Sequence, residues 1–267
     1  MISLIIASYK NIPGLELIFE ALKRQTFQDF EVIVAEDDNA AETVLFLERC
    51  RKECRFPIAH VSHEDCGFRK NKIMNEAVKI SKGEKLVFLD GDCIPHRKFL
   101  EMYDLNIKKG AYYYGRRVLM SEKMTNKLLA TKNLKLISLI NLLLSGSSEI
   151  AQGIFFPYRP SISKKNREIW GSNWGVLKEY VIRINGYDED YTSACCGEDN
   201  DIGWRLRGIG LKLISLKNKT IQYHLFHRSR YVENVAAEGL LKLNAKKLAG
   251  ITFCVNGIDK KKLKIKN

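Results

Sequence analysis

The sequence contains no Cys-x-x-Cys pair, and its cysteines (Cys50, Cys54, Cys66, Cys93, Cys195, Cys196 and Cys254) are odd in number. That spacing supports neither a zinc ribbon nor a disulfide framework, and it points to a reducing compartment. No stretch reaches about 18 uncharged apolar residues, so no membrane span is predicted. The nearest, LKLISLINLLLSG from Leu134 to Gly146, is too short and reads as a buried or interfacial helix, more often buried. The opening MISLIIAS runs quickly into a polar turn, which argues against a secretory signal. Internal repeats are missing, and no low-complexity linker precedes the lysine-rich end.

What remains is an ordinary globular composition, 45% hydrophobic and 28% charged over 267 residues, enough chain to bury a sizeable core. Lys and Arg total 44 against 31 Asp and Glu, a net charge of +13. Such a balance suits nucleic acid, an anionic membrane or a phosphorylated small molecule. Nucleic-acid binding calls for basic residues interleaved with exposed aromatics, and no such stripe is present, so no nucleic-acid partner is expected. Lysines are densest in LKLNAKKLAG and DKKKLKIKN, a tail suited either to solvent or to an anionic lipid surface.

The first hundred residues alternate strand and helix. Ser3–Ser8 and Phe30–Asp38 are β-rich runs, the second ending in acids, and IAHVSH is a short strand candidate. Leu15, Ile18, Phe19 and Leu22 recur at helical spacing, as do Ile73, Ala77, Val78 and Ile80, with Gly83 placed to stop the second helix. ETVLFLERCRKEC reads as a further helix, and Leu86 to Leu89 as a buried strand ending at Asp90. This pattern predicts an α/β fold with a Rossmann-like, mostly parallel central sheet and helices on both faces. GEDNDIGWRLRGIG reads as the start of a later helix.

Ligands of open parallel sheets bind beyond the carboxyl ends of the strands. Those ends carry Ser8, Tyr9 and Lys10, then Glu36, Asp37 and Asp38, then Asp90 and Asp92. In an extended segment Asp90 and Asp92 share a face, with Gly91 allowing close backbone approach. Two carboxylates so placed repel unless a cation or proton sits between them, and hard oxygen donors favour Mg²⁺ or Mn²⁺. Asp-Gly-Asp is also good turn chemistry. Neither G-x-G-x-x-G nor a P-loop follows the first strand, which argues against a dinucleotide fold and a P-loop enzyme. No Gly-rich, Arg-containing loop follows it either, as a sugar-nucleotide pyrophosphorylase would need. Arg69, Lys70 and Lys72 suit either a solvated basic face or a diphosphate. Glu198 and Asp199 suit a helix N-terminus electrostatically. His224 and His227 read as surface histidines or ligands, and a zinc site lacks further partners nearby. Trp170 and Trp174 read as core aromatics or as platforms for a sugar ring.

SLIIASYKN, LKRQTFQDFEVIVAEDD, NKIMNEAVKISKGEKLVFLDGDCIP and GEDNDIGWRLRGIG together resemble an inverting GT-A glycosyltransferase of family 2. WGSNWGVLKEYVIRINGYDEDY with GEDND further resembles the C-terminal half of β-1,4-galactosyltransferases and chondroitin-polymerase-like enzymes. The resemblance implies that residues 1–110 form the nucleotide-sugar half, 111–230 the acceptor-binding and catalytic half, and 231–267 a basic extension. It implies that Asp37 meets the uracil, and that Ser8, Tyr9, Phe68, Arg69, Lys72, Asp90 and Gly91 line the nucleotide sugar. Asp92 and a histidine, His224 or His227, hold Mn²⁺ or Mg²⁺. Asp199 is the implied base, Glu198 its neighbour at the sugar hydroxyls, and Trp170, Trp174 and Asn200 the acceptor contacts. Asn200 replaces an acid of the galactosyltransferases, and Glu36 replaces a usual first aspartate.

The implied activity is inverting transfer of a hexose or N-acetylhexosamine from a UDP-sugar to a glycan or glycolipid. The setting is bacterial cell-surface polysaccharide or lipopolysaccharide synthesis, in the cytoplasm at the inner face of the membrane. The competing reading is a non-catalytic basic module at a membrane or nucleic acid, against which the intact Asp37, Asp90, Asp92 and Asp199 argue.

Overall fold

Apolar or small side chains occupy both faces of the first strand, so it reads as a central strand covered on two sides. The computed structural model describes residues 1–163, 169, 171–193, 197–228 and 233–260. Strands β1 (Ile2–Ser8), β2 (Phe30–Glu36), β3 (Ile58–Ser62) and β4 (Lys85–Asp90) alternate with helices α1 (Ile12–Leu22), α2 (Ala41–Glu53) and α3 (Lys70–Ile80). Then follow β5 (Cys93–Pro95), α4 (Phe99–Asn106), β6 (Ala111–Tyr114), β7 (Arg116–Leu119), α5 (Glu122–Thr131) and α6 (Leu139–Leu144). The chain continues with β8 (Ile162–Ser163), β9 (Asn173–Leu177), α7 (Lys178–Arg183), α8 (Glu198–Gly208), β10 (Lys212–Ser215), β11 (Ile221–His224) and α9 (Glu233–Leu248).

The main sheet runs β3-β2-β1-β4-β9-β6-β10-β8. Strands β1 to β4 are parallel, β9 is antiparallel to both neighbours, and β6 and β10 are again parallel. Alternation along the strands sends Ile2, Leu4, Ile6, Val32 and Val87 to one core with α1, α2 and α4. Ile5, Ile33, Leu86 and Phe88 go to the other, with α3 and α8. A second sheet, β5-β11-β7, stacks with α5 and α6 on Leu17 and Ala21 of α1.

Register sets the site. Ser8 pairs with Glu36 and Ala7 with Asp90, so three strands end at one level. The Gly91 amide donates to the Ala7 carbonyl at 2.7 Å, and a Cβ there would lie 2.9 Å from that oxygen. The close approach turns the chain from β4 into β5.

Three sequence expectations are corrected. Helix α3 ends at Ile80, with Ser81 turning extended as its cap. Gly83 serves instead the close passage of β1, since its Cβ would meet the Ser3 nitrogen at 2.6 Å. The leucine-rich stretch from Leu134 is a 3-10 turn followed by short α6, of which Leu142 alone is buried. Leu139, Ile140, Leu143 and Leu144 are exposed. Strand β2 stops at Glu36, before Asp37 and Asp38.

Candidate active site

The acids that close β2 face different ways. Glu36 is buried and accepts from His60 Nε2 at 2.8 Å and from the Thr43 hydroxyl. Asp37 accepts from His63 Nε2 at 2.6 Å and from the Arg69 backbone N–H at 2.9 Å, while its own N–H donates to Ser8. The two carboxylate oxygens of Asp37 are thus tied to the two ends of the segment between β3 and α3. Beyond β1 the backbone turns left-handed at Lys10 (φ 47°). Lys10 and the exposed Tyr9 both donate to Asp65, at 2.7 and 3.2 Å. Phe68, Arg69 and Lys72 are half-buried around the start of α3, and Arg69 donates to the Glu64 carbonyl.

Asp90 and Asp92 part company in the turn. Asp90 accepts from Lys70 Nζ at 3.1 Å. Burial opposes the charge of Lys70, but Asp90, Asp199 and Glu198 outweigh it and hold its pKa well above the usual lysine range. Asp92 has another set of partners, because β5 pairs antiparallel with β11 and puts Cys93 opposite His224. Its Oδ2 lies 3.6 Å from His224 Nε2 and 3.3 Å from His227 Nε2. One ligand atom from each of the three falls within 4.8 Å of the others, close enough together for the three to share a metal ion. Burial opposes the Asp92 charge, yet His227 and His224 hold its pKa down at about 2. Burial pulls the His224 pKa below the usual value against the attraction of Asp92, which favours the neutral, ligating ring.

Helix α8 brings the last acids. Gly197 (φ 89°) turns the chain into it. Asp199 Oδ2 accepts from the Gly171 N–H at 2.8 Å, and a Cβ on residue 171 would sit 2.4 Å from Asp199 Oδ1. That Oδ1 is buried with no hydrogen-bond donor among the described residues. Burial raises the Asp199 pKa, Lys70 opposes the rise, and Asp90 adds to it. Burial, then the Asp199 charge, push Glu198 up to about 7, again against Lys70. Asn200 is half-buried on the same turn. Trp174 is a core residue, 0% exposed and stacked on Phe88 with centroids 4.2 Å apart. The expectation that it meets a sugar is corrected, since it has no free face. Trp170 lies outside the described residues.

Lys70 is the cation common to Asp90, Glu198 and Asp199, and the sequence offered no way to rank it above Arg69 or Lys72. His63 and Gly171 were not foreseen. His63 follows the strand beside the acid-ended β2, and Gly171 sits before β9, but only tertiary packing sets either against its carboxylate.

The family model for glycosyl transferase family 2 matches residues 3–183. A Bacillus subtilis (strain 168) protein assigned as the glycosyltransferase EpsH is 27% identical over 92 residues, 34% of this chain and 26% of that protein. Among solved structures, TarS of S. aureus superposes with a TM-score of 0.60 at 16% identity, over 92% of this chain and 39% of TarS; its residues 1–349 are also known with UDP-GlcNAc. The mannosyltransferase PcManGT of Pyrobaculum calidifontis, in complex with GDP-Man and Mn²⁺, gives 0.60 at 16% identity over 93% of this chain and 64% of that one. These likenesses are of fold, the GT-A fold expected from the sequence. The chain spans about a quarter of the length of EpsH and 39% of TarS. The matched region ends before Gly197, so the resemblance of the C-terminal half to galactosyltransferases rests on sequence motifs alone.

Proposed function

This chain belongs to glycosyl transferase family 2, and on that premise we propose that it moves a hexose or N-acetylhexosamine from a UDP-sugar to an acceptor hydroxyl with inversion. The acceptor is a glycan or glycolipid of a bacterial cell-surface polysaccharide or lipopolysaccharide. The observation that carries the reading is the meeting of Asp92, His224 and His227 beside Asp90, Lys70 and Asp199. These groups come from two stretches of the chain, residues 70–92 and 199–227, more than a hundred residues apart.

In this reading residues 1–110 hold the nucleotide and residues 111–230 supply the acceptor side. Asp37, fixed by His63 and the Arg69 amide, presents to the uracil, with Ser8, Tyr9, Phe68, Arg69 and Lys72 around it. Asp90 and Gly91 lie at the ribose and sugar. Asp92, His224 and His227 would hold a divalent ion, which when bound supplies positive charge for the departing diphosphate. The two imidazoles favour Mn²⁺ over Mg²⁺, which prefers an all-oxygen shell. Lys70 lies between the nucleotide side and the base, where its charge opposes the rise that burial gives the Asp199 pKa. Asp199 Oδ1, which lacks a donor among the described residues, takes the proton of the acceptor hydroxyl as that oxygen attacks. The Gly171 amide holds the other oxygen still. Glu198 and Asn200 sit at the same turn for sugar hydroxyls. Attack from the face opposite the diphosphate inverts the centre without a covalent intermediate.

No helix among the described residues is long and apolar enough to cross a membrane. Placement at the inner, anionic membrane face is supported by the exposed Leu240, Leu241 and Leu248 on the lysine-rich α9.

The test is a thermal-shift panel of UDP-hexoses, UDP-N-acetylhexosamines and GDP-mannose, with and without Mn²⁺. A true donor raises the midpoint by mass action, only with metal present, and Asp92→Asn removes the shift. Equal shifts with and without metal would refute the metal assignment. No shift with any nucleotide sugar would refute the transferase reading.

A further inference from the structure

Beside the carboxylate cluster lies a second concavity, a cavity of about 530 Å³ between β7, the end of β10 and the segment around residues 149–162. That size accommodates one or two sugar units. Its charged lining among the described residues is Arg116, Arg117, Arg159 and Lys217 against a single acid, Glu149. Leu119, also in the lining, stands opposite His224 in the β7–β11 pairing, so the cavity opens one strand from the metal-ligand cluster. The charge of Arg117 is felt at both His224 and Asp199. None of the lining residues comes from β1, β2 or β4.

The cationic side chains sit on a prepared base. Arg159 donates to Asn218 Oδ1 at 3.1 Å. Asn218 is buried, adopts a left-handed backbone (φ 66°), and spends its amide on the carbonyls of Ala151 and Ile154 at 2.9 and 2.7 Å. Among the described residues Arg159 therefore has a neutral partner, and Lys217 lies within ion-pair reach of no carboxylate. Arg116 lies over the Tyr114 ring, 5.2 Å from its centroid, which presents a guanidinium on an aromatic wall. Positive charge held this way in a concave, half-buried space attracts an anion far more strongly than the same groups spread over a surface.

We infer that this cavity binds an anionic group, a phosphate or a carboxylate, carried by the sugar acceptor, so that the enzyme selects a negatively charged acceptor. The inference rests on the transferase reading for the word acceptor. The position supports that word: the lining strand β7 pairs with the His224 strand, Arg117 of the lining acts on the Asp199 charge, and no lining residue comes from β1, β2 or β4, whose ends are assigned to the nucleotide.

The experiment is a titration of the full chain with glucose 6-phosphate, glucuronic acid and glucose, followed by ligand-observed NMR. UDP and Mn²⁺ are kept saturating so that the nucleotide site is blocked. We expect at least one of the two anionic sugars to bind about tenfold or more tighter than glucose, with affinity falling as salt is raised. The tighter of the two identifies the group as phosphate or carboxylate. Arg159→Gln and Lys217→Gln should each weaken that binding about tenfold, while the affinity for UDP with Mn²⁺ changes by less than about twofold. Lys217 is half-exposed, so its variant decides the matter even if Arg159→Gln fails to fold. Equal binding of the three sugars, or unchanged affinity in Lys217→Gln, would overturn the inference. Failure of UDP and Mn²⁺ to bind at all would instead strike the transferase reading, and the anion titration can then be read on its own.

Discussion

Asp199 and Asp201 lie two residues apart in the first turn of α8, and they have opposite surroundings. Asp201 is fully buried against the equally buried Arg205, with Arg205 Nε donating at 2.7 Å. Nη1 of that guanidinium donates to the carbonyls of Ile184 and Gly186 at 2.8 and 2.7 Å, while Nη2 is buried with no acceptor among the described residues. The pair ties α8 to the segment that follows α7, with each charge matched by the other. Asp199 faces the other way. Among the described residues it receives one backbone N–H and keeps one buried oxygen without a donor, and burial raises its pKa. One helix turn thus carries two carboxylates of opposite kind, one matched by a partner and one left poised. A matched buried acid stabilises the native arrangement once it is formed, whereas an unmatched one is held in place by the rest of the fold and is available for chemistry.

Exchanging each acid for its amide separates the two roles most sharply. Asp199→Asn should lower turnover of a UDP-sugar about 10²–10⁴-fold, leave UDP and Mn²⁺ binding intact, and leave the unfolding midpoint unchanged or raised. Asp201→Asn leaves Arg205 as an uncompensated buried cation and should lower stability by about 3–5 kcal/mol. Urea melts and a coupled UDP-release assay on the two variants read both quantities. If Asp199→Asn lost as much stability as Asp201→Asn, the contrast drawn here would disappear.

Much of this was legible in the sequence where burial is complete. Strands covered on both faces are near-continuous apolar runs, so β1, β2 and β4 stood out, and their polar ends marked the cleft. Helix signals held for α1, α2, α3 and the start of α8. The stretch from Leu134 misled because Leu139, Ile140, Leu143 and Leu144 are exposed and only Leu142 is buried, so apolar character did not report burial. Trp174 was ambiguous because an aromatic next to glycine suits a core and a sugar platform equally. Lys70 and Gly171 were hidden for a different reason. Lys70 meets an acid 20 residues away, Gly171 one 28 residues away, and local sequence does not say which of three neighbouring cations turns inward.

Gly171 allows a smaller perturbation of the same contrast. A methyl group at residue 171 would lie 2.4 Å and 2.6 Å from the two Asp199 oxygens, so Gly171→Ala must displace the carboxylate without altering its charge. Displacement of a base by about 1 Å costs roughly 10²-fold in rate, and Asp201 should not register it. The expected result is turnover reduced by about that factor, with UDP affinity and the urea midpoint near those of the unaltered protein. Undiminished turnover would mean that the position of Asp199 is not what the reaction depends on.

The smallest effect concerns Glu198, whose pKa burial and the neighbouring Asp199 raise from 4.5 to about 7. An acid whose folded pKa is raised keeps a proton in the native state that the unfolded chain has already released. Stability from that group is therefore fully present below about pH 4.5 and is lost as pH climbs through about 7. Glu198→Gln cannot ionise, so it should match the unaltered protein near pH 4.5 and exceed it by about 1–3 kcal/mol above pH 8. Urea melts at a series of pH values check this, and the sign is the informative part. A variant that is less stable at pH 8 would show that the Glu198 charge is matched in the fold, as Asp201 is, and would move the boundary between the two kinds of buried acid one residue toward the helix start.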